Sequence, residues 1–404
     1  MKIKKKVLFF IMLVIISIQS ISFANEISIN SRAGILVEVS TGRIIYEKRS
    51  TEKMWPASTT KIMTAILVLE NCNLDDMVTV TETAISNIPS GYVICDLQIG
   101  EEISVKDLLN ALMIKSANDA AYVLAEHVGG SVNDFAYMMN QKAKELGCTS
   151  THFVNPNGIH NENHYSTAYD LYLIAKYAMK NETFRNLVST TEYTLPITNK
   201  YSNEDRSFRT TNDLINPDSS NYYKNAIGIK TGYTSQAGNC LVSESSRDGL
   251  EFISVVLNGD RFTDSKKLFD YAYDNFTLTK IKEKNTVVDT IEIDNATKET
   301  KTLDLLINES ITVMNNKNLD FDEIIPEITL NPGLLAPIEK GEEVGVIKYK
   351  VDDIEYSAKL LAATDVKEQK YYEMIFLLGI VLLMGAFVLI NRKKRIKRKR
   401  RKKK

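Results

Sequence analysis

At 404 residues the chain is longer than one hydrophobic core usually organises, and its composition, 44% hydrophobic and 25% charged, is that of a globular protein rather than a disordered or fibrous one. The formal net charge of −1 hides a segregation: residues 1–24 hold four Lys and no acid, residues 392–404 hold twelve Lys or Arg and no acid, and the remainder is left at about −17. Basic ends on an acidic body read as topology signals and argue against a nucleic-acid partner, while four Cys without close pairs exclude a dense disulfide framework and cysteine metal spacing.

In chain order, four early lysines, an apolar run from Val7 to Ile21 and then Ser22-Phe23-Ala24 have the three parts of a secretory signal over residues 1–24, with an uncleaved anchor as the alternative. Two β-rich runs, Ala33 to Val39 and Arg43 to Glu47, are joined at Ser40-Thr41-Gly42 as a hairpin. Pro56-Ala57-Ser58-Thr59-Thr60-Lys61 then enters residues 62–70, apolar nearly all round, which predicts a buried helix with Ser58 at its N-terminus and Lys61 one turn on, on the same face. Residues 75–103 read as short strands and loops. Three helices are expected next: one capped at Ser104 to Asp107 and stopping at Lys115 to Asn118, one from Asp119 to Gly129-Gly130, and one from Ser131 to Leu146. Phe153 to Gly158 is a turn cluster, Ser166 to Met179 a helix, and the polar stretch to Tyr223 irregular. Strands at 226–233, 238–246 and 250–257 and a closing helix at 261–274 complete an α+β domain over residues 25–276.

A charged linker (Lys280 to Asn285) leads into short alternating strands that predict a small all-β domain at 285–362, a stalk without a catalytic cluster. Residues 374–390 are uncharged and almost wholly apolar, at the short end for a transmembrane helix. The alternative is a core helix, but the basic residues at 391–404 would not fold over a core and fit a cytoplasmic tail, with the body of the chain outside.

Three motifs carry chemistry: Ser58-x-x-Lys61, Ser116-Ala117-Asn118 and Lys230-Thr231-Gly232. Each has a plain structural reading: Ser58 as a helix cap, Ser116 to Asn118 as a helix connection, and Lys230 to Gly232 as a solvated strand end. Their joint order, each at the edge of a helix or strand, is what points to function. A serine hydroxyl needs a base, and Lys61 serves only when neutral, a form favoured by burial and by a second cation, for which Lys230 is the candidate. His160 and His164 lie among loop residues, which argues against a metal there.

The three motifs match those of penicillin-binding proteins and class A β-lactamases. With Thr41-Gly42-Arg43, Phe153 to Gly158 and His164-Tyr-Ser-Thr-Ala168, the chain resembles the low-molecular-mass, serine-type penicillin-binding D-alanyl-D-alanine carboxypeptidases across about residues 30–360. The resemblance implies a transpeptidase-like α+β catalytic domain, an antiparallel sheet flanked by helices with an all-helical subdomain, followed by the β-domain. It further implies peptidoglycan D-Ala-D-Ala stem peptides as substrate, β-lactams as covalent inhibitors, and neither cofactor nor metal. Residue by residue, it implies Ser58 as acyl nucleophile, Lys61 as proton acceptor and Ser116 as proton relay to the leaving amine. Asn118 would bind the substrate backbone, Lys230, Thr231 and Arg261 its terminal carboxylate, and the backbone N–H groups of Ser58 and Tyr233 the oxyanion. Gly232 would let the peptide lie close to the strand edge. The chain departs from many relatives in ending on an apolar span rather than an amphipathic helix. A class A β-lactamase would need a deacylating glutamate, and no Glu-x-x-Leu-Asn lies between Ser116 and Lys230. The motifs do not separate hydrolysis from transpeptidation, and a catalytically silent wall-binding module is the non-enzyme alternative.

Overall fold

The computed structural model describes residues 27–401 except Asn87, Glu204, 318–323 and Tyr371, so the expected secretory signal lies outside the described residues. The chain divides after Phe276 into two compact units.

In the first unit, β1 (Ala33–Glu38) and β2 (Ile44–Lys48) form the expected hairpin, its turn held by Glu38, whose carboxylate accepts from the N–H and hydroxyl of Ser40 and the N–H of Thr41. β1 is buried along its whole length, as a strand covered on both faces must be. A single turn of 3-10 helix, Ala57–Thr60, leads into α1 (Lys61–Asn71), buried from Lys61 to Val68. β3 (Met77–Thr79) pairs with β4 (Glu102–Ser104), and between them lies a short helix, α2 (Glu82–Ser86), where only strands and loops were expected. It buries only Ala84, too little periodicity to be read from sequence.

The helix caps fall where side-chain chemistry placed them. Ser104 accepts from the Asp107 N–H at the start of α3 (Val105–Asn110), Ser131 from Asp134 at α5 (Val132–Glu145), and Gly130 closes α4 (Asn118–Gly129) at φ +72°. Thr167 caps α6 (Ala168–Ala178) in the same way. The stretch expected to be irregular holds α7 (Glu182–Ser189), capped by Asn181 and burying Phe184, Leu187 and Val188, whose i, i+3, i+4 spacing is a helical signal the expectation overlooked. It is followed by the small pair β5 (Glu192–Thr194) and β6 (Ser207–Arg209).

β7 (Ala226–Thr234), β8 (Gly238–Arg247) and β9 (Leu250–Leu257) join the first hairpin in an antiparallel sheet of order β2-β1-β9-β8-β7. α6 and α8 (Arg261–Asn275) pack on β9. The order leaves β7 as an edge strand, and β7 carries Lys230-Thr231-Gly232. One hydrophobic core runs from the sheet (Ile35, Val37, Val255) through α1 to α4 and α5 (Leu124, Phe135).

In the second unit, β10 (Phe276–Lys282) pairs with a later strand, so Lys280 to Lys282, expected in a linker, are strand. β11 (Val287–Glu292), β12 (Thr302–Ile307), β13 (Ile311–Asn316), β14 (Glu327–Leu330), β15 (Glu343–Val351) and β16 (Ile354–Ala362) follow, with a sheet of order β11-β12-β16-β15-β14. β12 alternates strictly, turning Leu303, Leu305 and Ile307 into a separate core. The last helix, α9 (Tyr372–Arg401), contains Ile375–Lys399, long and apolar enough to cross a membrane, with a mean hydropathy of 2.3 over its most apolar 18 residues.

Candidate active site

Ser58 sits on a strained turn. Ala57 before it has φ +48°, a left-handed conformation costly for a residue with a Cβ, and the turn is tied by the Thr59 hydroxyl donating to the Pro56 carbonyl at 2.7 Å. Two glycines allow this turn to lodge against its neighbours: a Cβ on Gly158 would fall 1.8 Å from the Ala57 carbonyl oxygen, and one on Gly232 would lie 3.0 Å from both Pro56 O and Ser58 N. Behind the turn, His164 accepts from the Val154 N–H through Nδ1, so Nε2 carries the proton and donates to Thr60 Oγ1 at 2.9 Å. Burial first, then His152 and His160, push the His164 pKa down to about 3.

Lys61, the first residue of α1, is wholly buried and holds Nζ 2.9 Å from each of three oxygens: Ser58 Oγ, Asn118 Oδ1 and the Asn157 carbonyl. An ammonium donates along the Ser58 contact; a neutral amine accepts the hydroxyl proton along the same line. Burial, and next the Lys230 charge, hold the Lys61 pKa well below its ordinary value, with Asp119 opposing them.

The second motif is presented by an irregular helix end. After α3 the backbone widens over Ala111–Lys115 into a π-turn, closed by the Ala117 N–H donating to Ala111 O at 3.0 Å, and Ser116 takes φ +66°. Its hydroxyl faces the cleft and bonds neither Lys61 nor Lys230. Asn118 is committed on both sides, its Oδ1 to Lys61 and its Nδ2 to the Val93 carbonyl at 2.8 Å, so here it orients the lysine and the 91–93 loop rather than standing free for a substrate backbone.

On β7, Lys230 is buried with Nζ donating to Thr231 O at 3.0 Å, its pKa pushed down to about 7 by burial and by the Arg261 charge. The Thr231 hydroxyl meets that of Thr211 at 2.6 Å, and Arg261 Nη1 donates to the Gly232 carbonyl at 3.1 Å. Gly232, expected to make room for a peptide, lines the cleft and also makes room for the Pro56–Ser58 turn. Tyr233 is 63% exposed at the rim.

These elements line a cleft of about 410 Å³. Ser58, Ser116, Asn118, Thr231, Gly232, Tyr233 and Arg261 line it, and the two remaining sequence candidates, Lys61 and Lys230, lie buried beneath. Sequence reasoning missed Asn157 and Gly158, although it singled out their turn as part of the resemblance. Also missed were Tyr92, Val93, Lys115 and Thr211, which carry no local signal. Geometrically the cleft pairs a nucleophile with a buried base and sets a cationic wall opposite.

A family model described as D-alanyl-D-alanine carboxypeptidase matches residues 20–261, and one described as penicillin-binding protein 5, C-terminal domain, matches residues 276–368. The D-alanyl-D-alanine carboxypeptidase DacF of Bacillus subtilis (strain 168) is 32% identical over 85% of this chain and 88% of its own length. DacC of Escherichia coli (strain K12) is 33% identical over 80% and 81%. Among solved structures, penicillin binding protein 5 from Haemophilus influenzae aligns with a TM-score of 0.65 at 28% identity, covering 85% of this chain and 99% of that one. The Streptomyces K15 DD-transpeptidase aligns at 0.57 with 35% identity, covering 61% and 98%. With the family model spanning more than half of its length, and the sheet, helical subdomain and all-β domain of such proteins in place, the chain belongs to the D-alanyl-D-alanine carboxypeptidase family.

Proposed function

We propose that this protein removes the terminal D-alanine from peptidoglycan stem peptides through an acyl-enzyme on Ser58. The observation that carries the reading is Lys61: buried, held 2.9 Å from Ser58 Oγ, and kept toward its neutral form by burial and a second buried lysine. Ser58 Oγ attacks the carbonyl between the two D-alanines as its proton passes to Lys61 Nζ. The oxyanion is met by the N–H groups of Ser58 and Tyr233, donors of a kind whose loss costs about a hundredfold or more in rate. Lys230, Thr231 and Arg261 hold the terminal carboxylate, whose charge favours the protonated form of Lys230. Ser116 passes its proton to the departing D-alanine amine and is reprotonated by Lys61, and water then cleaves the ester. Asn118 acts mainly by holding Lys61, and its substrate contact requires exchange of one of its present partners. β-Lactams acylate the same serine.

Residues 1–24 act as a secretory signal, 25–276 as the catalytic domain, 285–362 as its all-β support, 374–390 as a single membrane span and 391–404 as a cytoplasmic tail. The apolar part of α9 and the basic residues that follow it from Arg392 support this topology. The test of function uses the full-length protein in detergent with a fluorescent penicillin and a D-Ala-D-Ala peptide. Wild type labels and releases D-alanine, and Ser58→Ala does neither. Labelling that survives Ser58→Ala, or penicillin turned over rapidly, overturns the assignment. For topology, protease added to intact cells removes the catalytic domain and spares the basic tail; a protected catalytic domain refutes the orientation.

A further inference from the structure

Away from the cleft, one trio of side chains among the described residues has the donor set of a metal site. Cys72 Sγ, an Asp76 carboxylate oxygen and a His127 ring nitrogen lie within 4.8 Å of one another. They come from three segments: Cys72 closes α1, Asp76 lies in the turn before β3, and His127 is in the last turn of α4. Tetrahedral zinc bonds at about 2.0–2.3 Å put ligand atoms roughly 3.3–3.8 Å apart, within reach of small side-chain rotations.

The surroundings favour a cation. Two helices end here, and the C-terminus of a helix carries the equivalent of about half a negative charge. Asp76 is oriented by the Asn73 N–H, which donates to Oδ2 at 2.8 Å and leaves Oδ1 with only a 3.5 Å contact from the Asn73 amide. The Cys72 thiol is free, and His127 has no hydrogen-bond or ion-pair partner among the described residues. One sulfur, one imidazole and one carboxylate suit zinc-class ions and not calcium or magnesium, which take oxygen ligands.

We propose that Cys72, Asp76 and His127 bind one zinc-class dication, with water in the fourth position, and so clip the far ends of α1 and α4 together. The same helices begin at the cleft, where Lys61 and Asn118 are joined at 2.9 Å, so the metal fixes at one end a helix pair that the lysine joins at the other. Cys72 binds as thiolate and its proton passes to solvent.

The test is titration of the chelator-stripped, full-length protein in detergent with cobalt(II) alone, then with zinc. One cobalt per chain, with a thiolate-to-cobalt band in the near ultraviolet and tetrahedral visible bands displaced by stoichiometric zinc, is expected. Cys72→Ala and the exposed-site variant His127→Ala abolish those bands, Cys148→Ala keeps them, and zinc raises the melting midpoint of wild type but of neither site variant. No thiolate band in wild type, or a band that persists in Cys72→Ala or His127→Ala, overturns the proposal.

Discussion

Gly158→Ala tests whether the cleft depends on the close seating of the nucleophile turn. Gly158 has φ +83°, and a Cβ there meets Ala57 O at 1.8 Å, the Ala57 carbonyl carbon at 2.4 Å and Thr60 Oγ1 at 2.8 Å, where real Cβ contacts stay beyond 3.0 Å. Backbone has to retreat by more than an ångström. If the Ala57 peptide moves, Ser58 moves with it. If the 155–158 turn moves, tied as a unit by the Gly158 N–H bond to Asn155 Oδ1 at 2.7 Å, it carries away the Asn157 carbonyl that holds Lys61. Gly147 separates this clash from backbone strain, because it has the same φ of +83° with nothing within 4 Å of its would-be Cβ. Both variants lose about 1–2 kcal/mol from forcing a side chain into the left-handed region. Only Gly158→Ala displaces reacting atoms, and a 1 Å misplacement costs about a hundredfold. The assay is the second-order rate of Ser58 acylation by a fluorescent penicillin, with thermal midpoints measured alongside. Gly158→Ala should be about a hundredfold slow while Gly147→Ala stays within about threefold of wild type. Equal acylation rates for the two variants refute the reasoning.

Three further outcomes follow from the buried charges. Arg261→Ala removes a cation that holds Lys230 near 7 and lets water in, both of which raise the lysine, so the alkaline limb of kcat/KM for a D-Ala-D-Ala peptide moves to higher pH; a limb that stays or falls contradicts this. Asp119→Asn turns an amide toward the N–H groups of Cys95, Leu97 and Ala120, now accepted at 2.9, 3.1 and 3.0 Å. It should lose about 1–3 kcal/mol by thermal unfolding and shift the acid limb of acylation downward, because Asp119 props Lys61 up; a stabilised variant would sink the idea. His164 is neutral when folded down to about 3, whereas its ordinary value is 6.5, so the unfolded chain binds the extra proton between those values. Its contribution is therefore complete above about pH 6.5 and lost as pH falls toward 3, and His164→Gln should flatten the decline of melting midpoint across that window.

Much of the fold was legible because its signals are local. Ser104, Ser131 and Thr167 announce helices by accepting from the N–H three residues on, and the alternation of β12 needs only its neighbours. α2 was illegible for the complementary reason, burying one side chain and so showing no period. α7 carried both a cap at Asn181 and an i, i+3, i+4 apolar pattern, and was legible but overlooked among its polar neighbours. The candidate site divides in the same way. Ser58 and Lys61 share a turn and were readable as a pair, but the Asn157 carbonyl lies 96 residues from the lysine it holds, and Thr211 lies 20 residues from Thr231.

By itself the sequence determined the residue types and their order: a hydroxyl one turn from an amine, a second lysine on a late strand, a basic tail after an apolar run. Those rest on covalent spacing and on helix and strand periods, which operate over a few residues. Only the tertiary structure decided that Lys61 is buried among three oxygens beside Lys230, that Asn118 holds that lysine, and that Gly232 and Gly158 leave room for the Pro56–Ser58 turn. Burial, charge pairing and steric room are properties of groups distant in sequence, and they come into being only when α1, α4 and β7 close around one cleft.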